Sequence, residues 1–180
     1  TPLHWACEKG HLEIANLLLD KGANANQADK IFGWTPFHWA CKEGHLEIAK
    51  LLLNEGADAN QLDNDGQTPL NSVCEMLPDM DSLNFARTLA LRPLPKDFAE
   101  LPARRIYMEL SKGAIGKMYL VEKTVPWLLE IGVDVNRPGK GGRTPLHWAC
   151  VRNQAKIAKL LLDKGANANK PDNSGETPLY

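Results

Sequence analysis

The chain has 180 residues, of which 43% are hydrophobic and 24% charged, and its formal net charge is −1 at pH 7. Charges this evenly balanced argue against a nucleic acid as partner. No apolar run reaches the roughly 20 residues that a membrane span needs, and the N-terminus is not signal-like. We therefore expect no membrane insertion and no nucleic-acid binding.

A short phrase recurs along the chain at a nearly constant spacing. It begins at Thr1, Thr35 and Thr144 as Thr-Pro-(Leu/Phe)-His-Trp-Ala-Cys, and weaker copies begin at Thr68 and Thr177. A period of about 33 residues indicates stacked repeats, in which each unit buries its apolar face against its neighbours. Stacked repeats form extended binding surfaces, so we expect binding rather than catalysis.

Each strong unit predicts two helices joined by a turn. In the first unit, Thr1 is a good N-cap and Pro2 suits the first helical position. Gly10 ends this short helix. The second helix begins near His11, carries a broad apolar stripe and stops at Gly22. The second and last full units repeat the pattern.

The middle of the chain departs from this pattern and allows two divisions into units. Pro69 of the weak copy and Pro145 of the last full copy are more than two periods apart, which fits a single repeat with a long insertion. Pro102 lies one period after Pro69. This spacing favours a degenerate third unit at about 68–100 and a degenerate fourth at about 101–143, with about ten extra residues. These extra residues, within 101–126, are either a functional face or drift in a tolerant loop.

The favoured division gives one domain that spans the whole chain. Its predicted units are about 1–34, 35–67, 68–100, 101–143 and 144–176, followed by the start of another at 177–180. Because the first residue opens a unit and the last residues open another, we expect a fragment of a longer array.

Three motifs recur among the strong units. They are Thr-Pro-Leu-His, the Gly-His-Leu-Glu-Ile-Ala of residues 10–15 and 44–49, and endings of the type Leu-Leu-Leu…Gly-Ala-Asn-Ala-Asn. In these residues the chain resembles the ankyrin-repeat family. The resemblance implies an all-α repeat solenoid, built of stacked helix-turn-helix ankyrin units with β-hairpin fingers. It also implies a scaffold or adaptor that binds proteins through its fingers and concave helix face and has no catalytic activity.

The histidines and cysteines follow the repeat, so we expect neither a metal nor a cofactor. The resemblance implies that His4, His38 and His147 bond to the threonine hydroxyl and nearby backbone, whereas a zinc site needs convergent ligands. The glycines of 113–117 have the wrong spacing for a phosphate loop. The resemblance also places stacked units about 10 Å apart, beyond the roughly 7 Å that a disulfide spans. We therefore expect reduced cysteines in a cytoplasmic protein that binds no small molecule.

The fingers, which precede each Thr-Pro, are the predicted binding site. The first finger, 29–34, is one residue longer than 63–67 and carries Ile31, Phe32 and Trp34 where the other fingers carry polar residues. Exposed aromatic residues are the usual anchors of protein–protein interfaces. We predict that these three residues form a hot spot. The alternative is that the longer finger folds back and buries them against the next unit.

The third complete finger, 139–143, adds two cationic candidates, Lys140 and Arg143. The predicted partner is a protein whose identity the sequence does not give, because one fold serves unrelated targets. The runner-up function is the target-recruiting part of a larger enzyme, channel or effector whose active part lies outside these residues.

Overall fold

The computed structural model describes residues 1–76 and 122–178. Its helices are α1 (Pro2–Lys9), α2 (Leu12–Asp20), α3 (Pro36–Lys42), α4 (Leu46–Asn54), α5 (Pro69–Glu75), α6 (122–130), α7 (Pro145–Val151) and α8 (Ala155–Asp163). No strand occurs in the described ranges. The fold is an all-α repeat solenoid, as the sequence predicts. Within the described part, no helix is long and apolar enough to cross a membrane.

The first helix of each unit begins at a threonine–proline pair for a local reason. Thr35 has an extended backbone, with φ −84° and ψ 166°, and its Oγ1 accepts a hydrogen bond from the His38 backbone N–H at 3.3 Å. This bond satisfies one donor that the first helical turn leaves unpaired. Pro36 occupies the first helical position, where no N–H is needed. Thr68 and Thr144 have the same extended backbone.

The histidine of each strong copy joins its helix to the next unit. The Nδ1 atom of His38 lies 2.9 Å from Thr35 Oγ1, and its Nε2 lies 3.5 Å from the Gln67 carbonyl oxygen. His4 and His147 make the same pair of contacts. Burial lowers the pKa of His38. The neutral ring thus braces the start of the helix, in the role that the ankyrin resemblance implied.

The core runs along the stack between the two helices of each unit. Its largest fully buried side chains are Phe37, Ile48, Leu52, Leu70, Leu128, Leu146, Ile157 and Leu161. The cysteines are free thiols at one position of the first helix. Burial raises the pKa of the Cys7 and Cys74 thiols to about 12, so both stay protonated and act as small apolar residues.

The helices α5 and α6 lie in one layer, between the second unit and the last. The helix α5 packs against both α3 and α7. At the ends of the second helices, Asn60 Oδ1 accepts a bond from the Asp134 N–H at 3.1 Å, and Asn136 Oδ1 accepts one from the Asn167 N–H at 2.7 Å. These bonds place the ending that follows α6 next to the second unit on one side and the last unit on the other.

These contacts bear on the division of the middle. The boundary predicted near residue 100 lies outside the described residues, as do 101–121 of the predicted fourth unit. A complete fourth unit at 101–143 would need a first helix between α5 and α7, but those two helices already pack together. The contacts therefore favour the alternative division. We infer that α5 and α6 belong to one unit, while the number of units in the middle of the chain stays a prediction.

Candidate functional site

Each finger is a tight turn closed by one backbone hydrogen bond. The closing bonds run from the N–H of Asp29 to the carbonyl of Trp34, and likewise from Asp63 to Gln67, Gly139 to Arg143 and Asp172 to Glu176, over 2.8–3.0 Å. A second bond inside each finger, such as that from the Gly66 N–H to the Asp63 carbonyl at 3.0 Å, belongs to the turn, so the described fingers lack the strands of the expected β-hairpins. The first finger has the extra residue that the sequence indicates.

An aspartate opens three of these fingers and holds the turn from inside. Asp29 Oδ1 accepts bonds from the backbone N–H groups of Ile31 at 2.9 Å and Phe32 at 2.7 Å. Asp63 and Asp172 each accept two backbone N–H bonds in the same way. A carboxylate in such a position satisfies donors that a turn would otherwise leave unpaired.

The charge of Asp29 is stabilised by these bonds. Desolvation acts to raise the pKa of this carboxyl, but hydrogen bonds from the N–H groups of Phe32, Trp39 and Ile31 outweigh it, and the net pKa is lowered. The indole Nε1 of Trp39 donates to the second oxygen, Oδ2, at 3.3 Å. Asp29 therefore links the first finger to helix α3.

The tip of the first finger exposes two of the three predicted hot-spot residues. Ile31 is 77% exposed and Phe32 is 51% exposed. The finger does not fold back over them, so the alternative of burial against the next unit does not hold for these two. The carbonyl oxygen of Phe32 accepts a bond from the Asn64 N–H of the second finger at 2.9 Å, which fixes the tip.

Trp34 is placed differently from its two neighbours. It is half-buried, and its Nε1 donates to Asp63 Oδ2 of the second finger at 2.9 Å. Its ring lies edge-on to Trp39 with centroids 4.8 Å apart and stacks on His38 at 6.2 Å. Trp34 thus joins two fingers and supports the exposed tip, so the three residues do not form one uniform patch.

The surface continues from the finger onto the first helices. Ile31, Phe32, Trp34 and Trp39 form what we call the aromatic ledge. Lys42 Nζ lies 4.7 Å from the ring centroids of both tryptophans in it, within the range of a cation–π contact. Trp39 stands in the register of the repeat, as Trp5 and Trp148 do, so its position alone does not mark it as part of a site. The run of bulky residues just before its helix was the signal that it borders the site.

Lys140 and Arg143 are each paired with an acidic residue. Lys140 Nζ lies 3.2 Å from Asp65 Oδ2 on the exposed finger surface. Arg143 Nε donates to the buried Asp172 Oδ2 at 3.3 Å, and its guanidinium lies 5.2 Å from the ring centroid of Trp148. The structure therefore separates these two cations from the aromatic ledge and places them on the third finger.

The comparison with known families matches this architecture. A family model described as ankyrin repeats, in three copies, matches residues 3–96 and 117–180. No curated protein matches the chain. Ankyrin repeats are general protein–protein interaction modules and are typically not catalytic. The matched residues make up most of the sequence and include every described helix, so this chain belongs to the ankyrin-repeat family.

Proposed function

We propose that this chain binds a protein partner through the aromatic ledge of its first finger and has no catalytic activity of its own. The observation that carries the proposal is the exposure of Ile31 and Phe32 at the tip of a finger whose backbone is fixed by hydrogen bonds to Asp29 and Asn64. Exposed apolar side chains at a loop tip gain stability only when another surface covers them. Their burial would supply about 25 cal/mol for each Å² of apolar surface removed from water.

The finger is suited to binding because it is already ordered. The Asp29 carboxylate fixes both N–H groups of the tip. On its far side, the Phe32 carbonyl is bonded to the second finger. Ordering a loop on binding opposes association, and a loop fixed beforehand avoids most of that loss. A rigid aromatic residue beside an aliphatic one is the usual form of an interface hot spot.

The partner surface that fits the aromatic ledge is apolar. Phe32 and Trp34 lie with ring centroids 5.6 Å apart, so an aliphatic or aromatic side chain of a partner can contact both rings. Lys42 lies against the rings of Trp34 and Trp39. Its side chain is 20% exposed, and it pairs with Glu43 at 3.7 Å. The charge of Lys42 is therefore balanced by Glu43, and apolar burial carries the contact.

The test compares three forms of the chain in affinity capture from cell lysate, followed by titration of the captured protein. These are the unchanged chain, the Ile31→Ala/Phe32→Ala double variant and the control Ile14→Ala. Ile14 is also 51% exposed but lies on α2, away from the fingers. We expect the double variant to bind at least about tenfold more weakly, since a hot-spot truncation removes about 2 kcal/mol or more.

The control decides what a loss of binding means. Ile14→Ala should bind as the unchanged chain does, because its removal leaves the fingers intact. Equal binding by all three forms would overturn the proposal, as would an equal loss in both variants. The melting temperature of the double variant should stay close to that of the unchanged chain, because neither side chain is buried.

A further inference from the structure

The third finger lacks the carboxylate that the other three fingers have. Gly139 occupies the place of Asp29, Asp63 and Asp172, and its N–H makes the same closing bond at 2.8 Å. The Gly141 N–H corresponds to the N–H groups that donate to a carboxylate elsewhere, and it has no hydrogen-bond partner among the described residues. The backbone of this finger is thus ready to bind an oxygen atom that its own sequence does not supply.

A buried tryptophan points to the same position. In the first finger, the Nε1 of Trp39 donates to the opening aspartate, Asp29. Trp148 occupies the same position in helix α7, after the third finger. It is only 9% exposed, and its Nε1 has no hydrogen-bond partner among the described residues. A buried N–H without a partner is unfavourable, and repeat equivalence directs this one at the place that a carboxylate fills in the first finger.

The end of the second finger gives a third indication. The last residue of a finger donates to the opening aspartate of the next, as Trp34 does to Asp63 and Arg143 to Asp172. Gln67 holds this place ahead of the third finger and is 3% exposed. Its Nε2 donates to Glu75 instead, and its Oε1 meets no hydrogen-bond donor in the described part of the chain.

Two amides border the position of the missing aspartate: a Cβ built on Gly139 would lie 3.1 Å from Asn71 Nδ2, and Gln67 lies equally near. A side chain built on Gly139 would place its Cβ 3.0 Å from Gln67 Oε1. This oxygen would repel a carboxylate at close range. A carboxylate can bind here only when Gln67 turns its NH₂ group towards it and gives up the bond from Nε2 to Glu75.

We propose that the third finger binds a carboxylate, contributed by an aspartate or glutamate side chain of the protein partner. It would lie where the opening aspartate lies in the other fingers, against the N–H of Gly141 and the indole N–H of Trp148. Lys140 and Gly141 are exposed and Gly139 is half-exposed, so a side chain can enter from solvent. This inference rests on the proposed function in one respect only, namely that the carboxylate comes from a protein.

The charges around the site set its selectivity. Lys140 and Arg143 flank it, but Asp65 and Asp172 pair with them, and Glu75 lies beyond Gln67. The local charge is therefore nearly balanced. Selection comes from the directed N–H groups, as in other backbone anion sites, and a doubly charged phosphate would meet more repulsion from the three carboxylates than a single carboxylate does.

The test is a titration of the isotope-labelled chain with sodium acetate, followed by NMR of the backbone and indole N–H signals. Parallel titrations with sodium chloride and with sodium phosphate at equal ionic strength serve as comparisons. We expect saturable shifts of the Trp148 indole and Gly141 amide signals with acetate. The Trp5 indole is the internal control, because Trp5 has the same helix position but is 64% exposed.

Two variants make the result specific. Gly139→Asp supplies the carboxylate from within and should abolish the acetate-dependent shifts. Gly139→Ala adds only the Cβ and should keep them. The proposal is overturned if the Trp148 signal moves no more than the Trp5 signal, if phosphate rather than acetate saturates the site, or if Gly139→Asp still responds. Because acetate needs no partner protein, failure here is distinct from failure of the aromatic ledge to bind.

Discussion

The first and third fingers are closed by the same kind of backbone bond but present different surfaces. The closing bond is 2.8 Å long in both, from Asp29 to Trp34 and from Gly139 to Arg143. The first finger satisfies its own N–H groups with a carboxylate and displays apolar side chains. The third finger has no carboxylate at this position, leaves the Gly141 N–H without a partner among the described residues, and carries two cations that are paired with Asp65 and Asp172. The closing bond is thus shared, and the departures from the repeat at each finger determine what it can bind.

The joints between fingers differ in the same way. The Asn64 N–H bonds to the Phe32 carbonyl of the first finger, and the Asn173 N–H bonds to the Gly141 carbonyl of the third, each at 2.9 Å. Between the second and third fingers, the described residues are joined only through side chains, by Lys140 and Asp65 and by the approach of Gln67 to Gly139. The row of fingers therefore has tight joints at its ends and a looser one in the middle.

Alanine at two matched glycines should show this difference most strongly. Gly33 and Gly66 both have a left-handed φ, +72° and +73°, but a Cβ on Gly33 would lie 2.7 Å from the Asn64 backbone nitrogen, whereas one on Gly66 meets nothing within 4 Å. We expect Gly66→Ala to lower the free energy of unfolding by about 1 kcal/mol through backbone strain. Gly33→Ala should lose about 2 kcal/mol more through overpacking. Urea denaturation measures both, and equal losses would contradict a tight first joint.

Separate truncations of Trp34 and Phe32 should show which of the two side chains stabilises the first finger. Trp34→Ala removes the bond to Asp63 and the contact with Trp39, and we expect a loss of about 2–3 kcal/mol in the free energy of unfolding. Phe32→Ala removes a side chain that is half-exposed, and the loss should stay below about 1 kcal/mol. Thermal and urea unfolding give both values. Similar losses in the two variants would mean that Trp34 does not support the finger.

This prediction corrects the sequence-based one for Trp34. The sequence alone predicts that Phe32 and Trp34 belong to one exposed hot spot, whose removal would change stability little. The exposure of Phe32 follows from its place in a long apolar finger. The bond from Trp34 to Asp63 joins adjacent units. A repeat pattern gives the spacing of equivalent residues, but it does not show which side chains of neighbouring units are in contact.

The same limit explains the middle of the chain. Pro102 continues the regular spacing of the repeat prolines, and that spacing favoured two units. The contacts of α5 with both α3 and α7 favour one unit. A proline at the expected spacing does not by itself show that a helix of the stack follows it, whereas contacts show which helices are neighbours. The missing aspartate at Gly139 was visible in the sequence, but its significance depends on the unpaired Nε1 of Trp148, which only the packing shows.

Asp29, which opens the first finger, should make stability depend on pH there, whereas Gly139 of the third finger cannot. The lowered pKa of Asp29 in the folded chain means that its contribution to stability is complete above the unfolded value of about 3.9 and disappears as the pH falls through the folded value. Asp29→Asn cannot ionise. We therefore expect it to be less stable than the unchanged chain at pH 7, with the difference narrowing below about pH 4. Gly139→Asn, in a finger with no carboxyl at this position, should show a pH-independent difference. Urea midpoints between pH 7 and pH 2 measure both, and a constant Asp29→Asn difference across that range would show that the N–H groups of the first finger do not depend on the charge of Asp29.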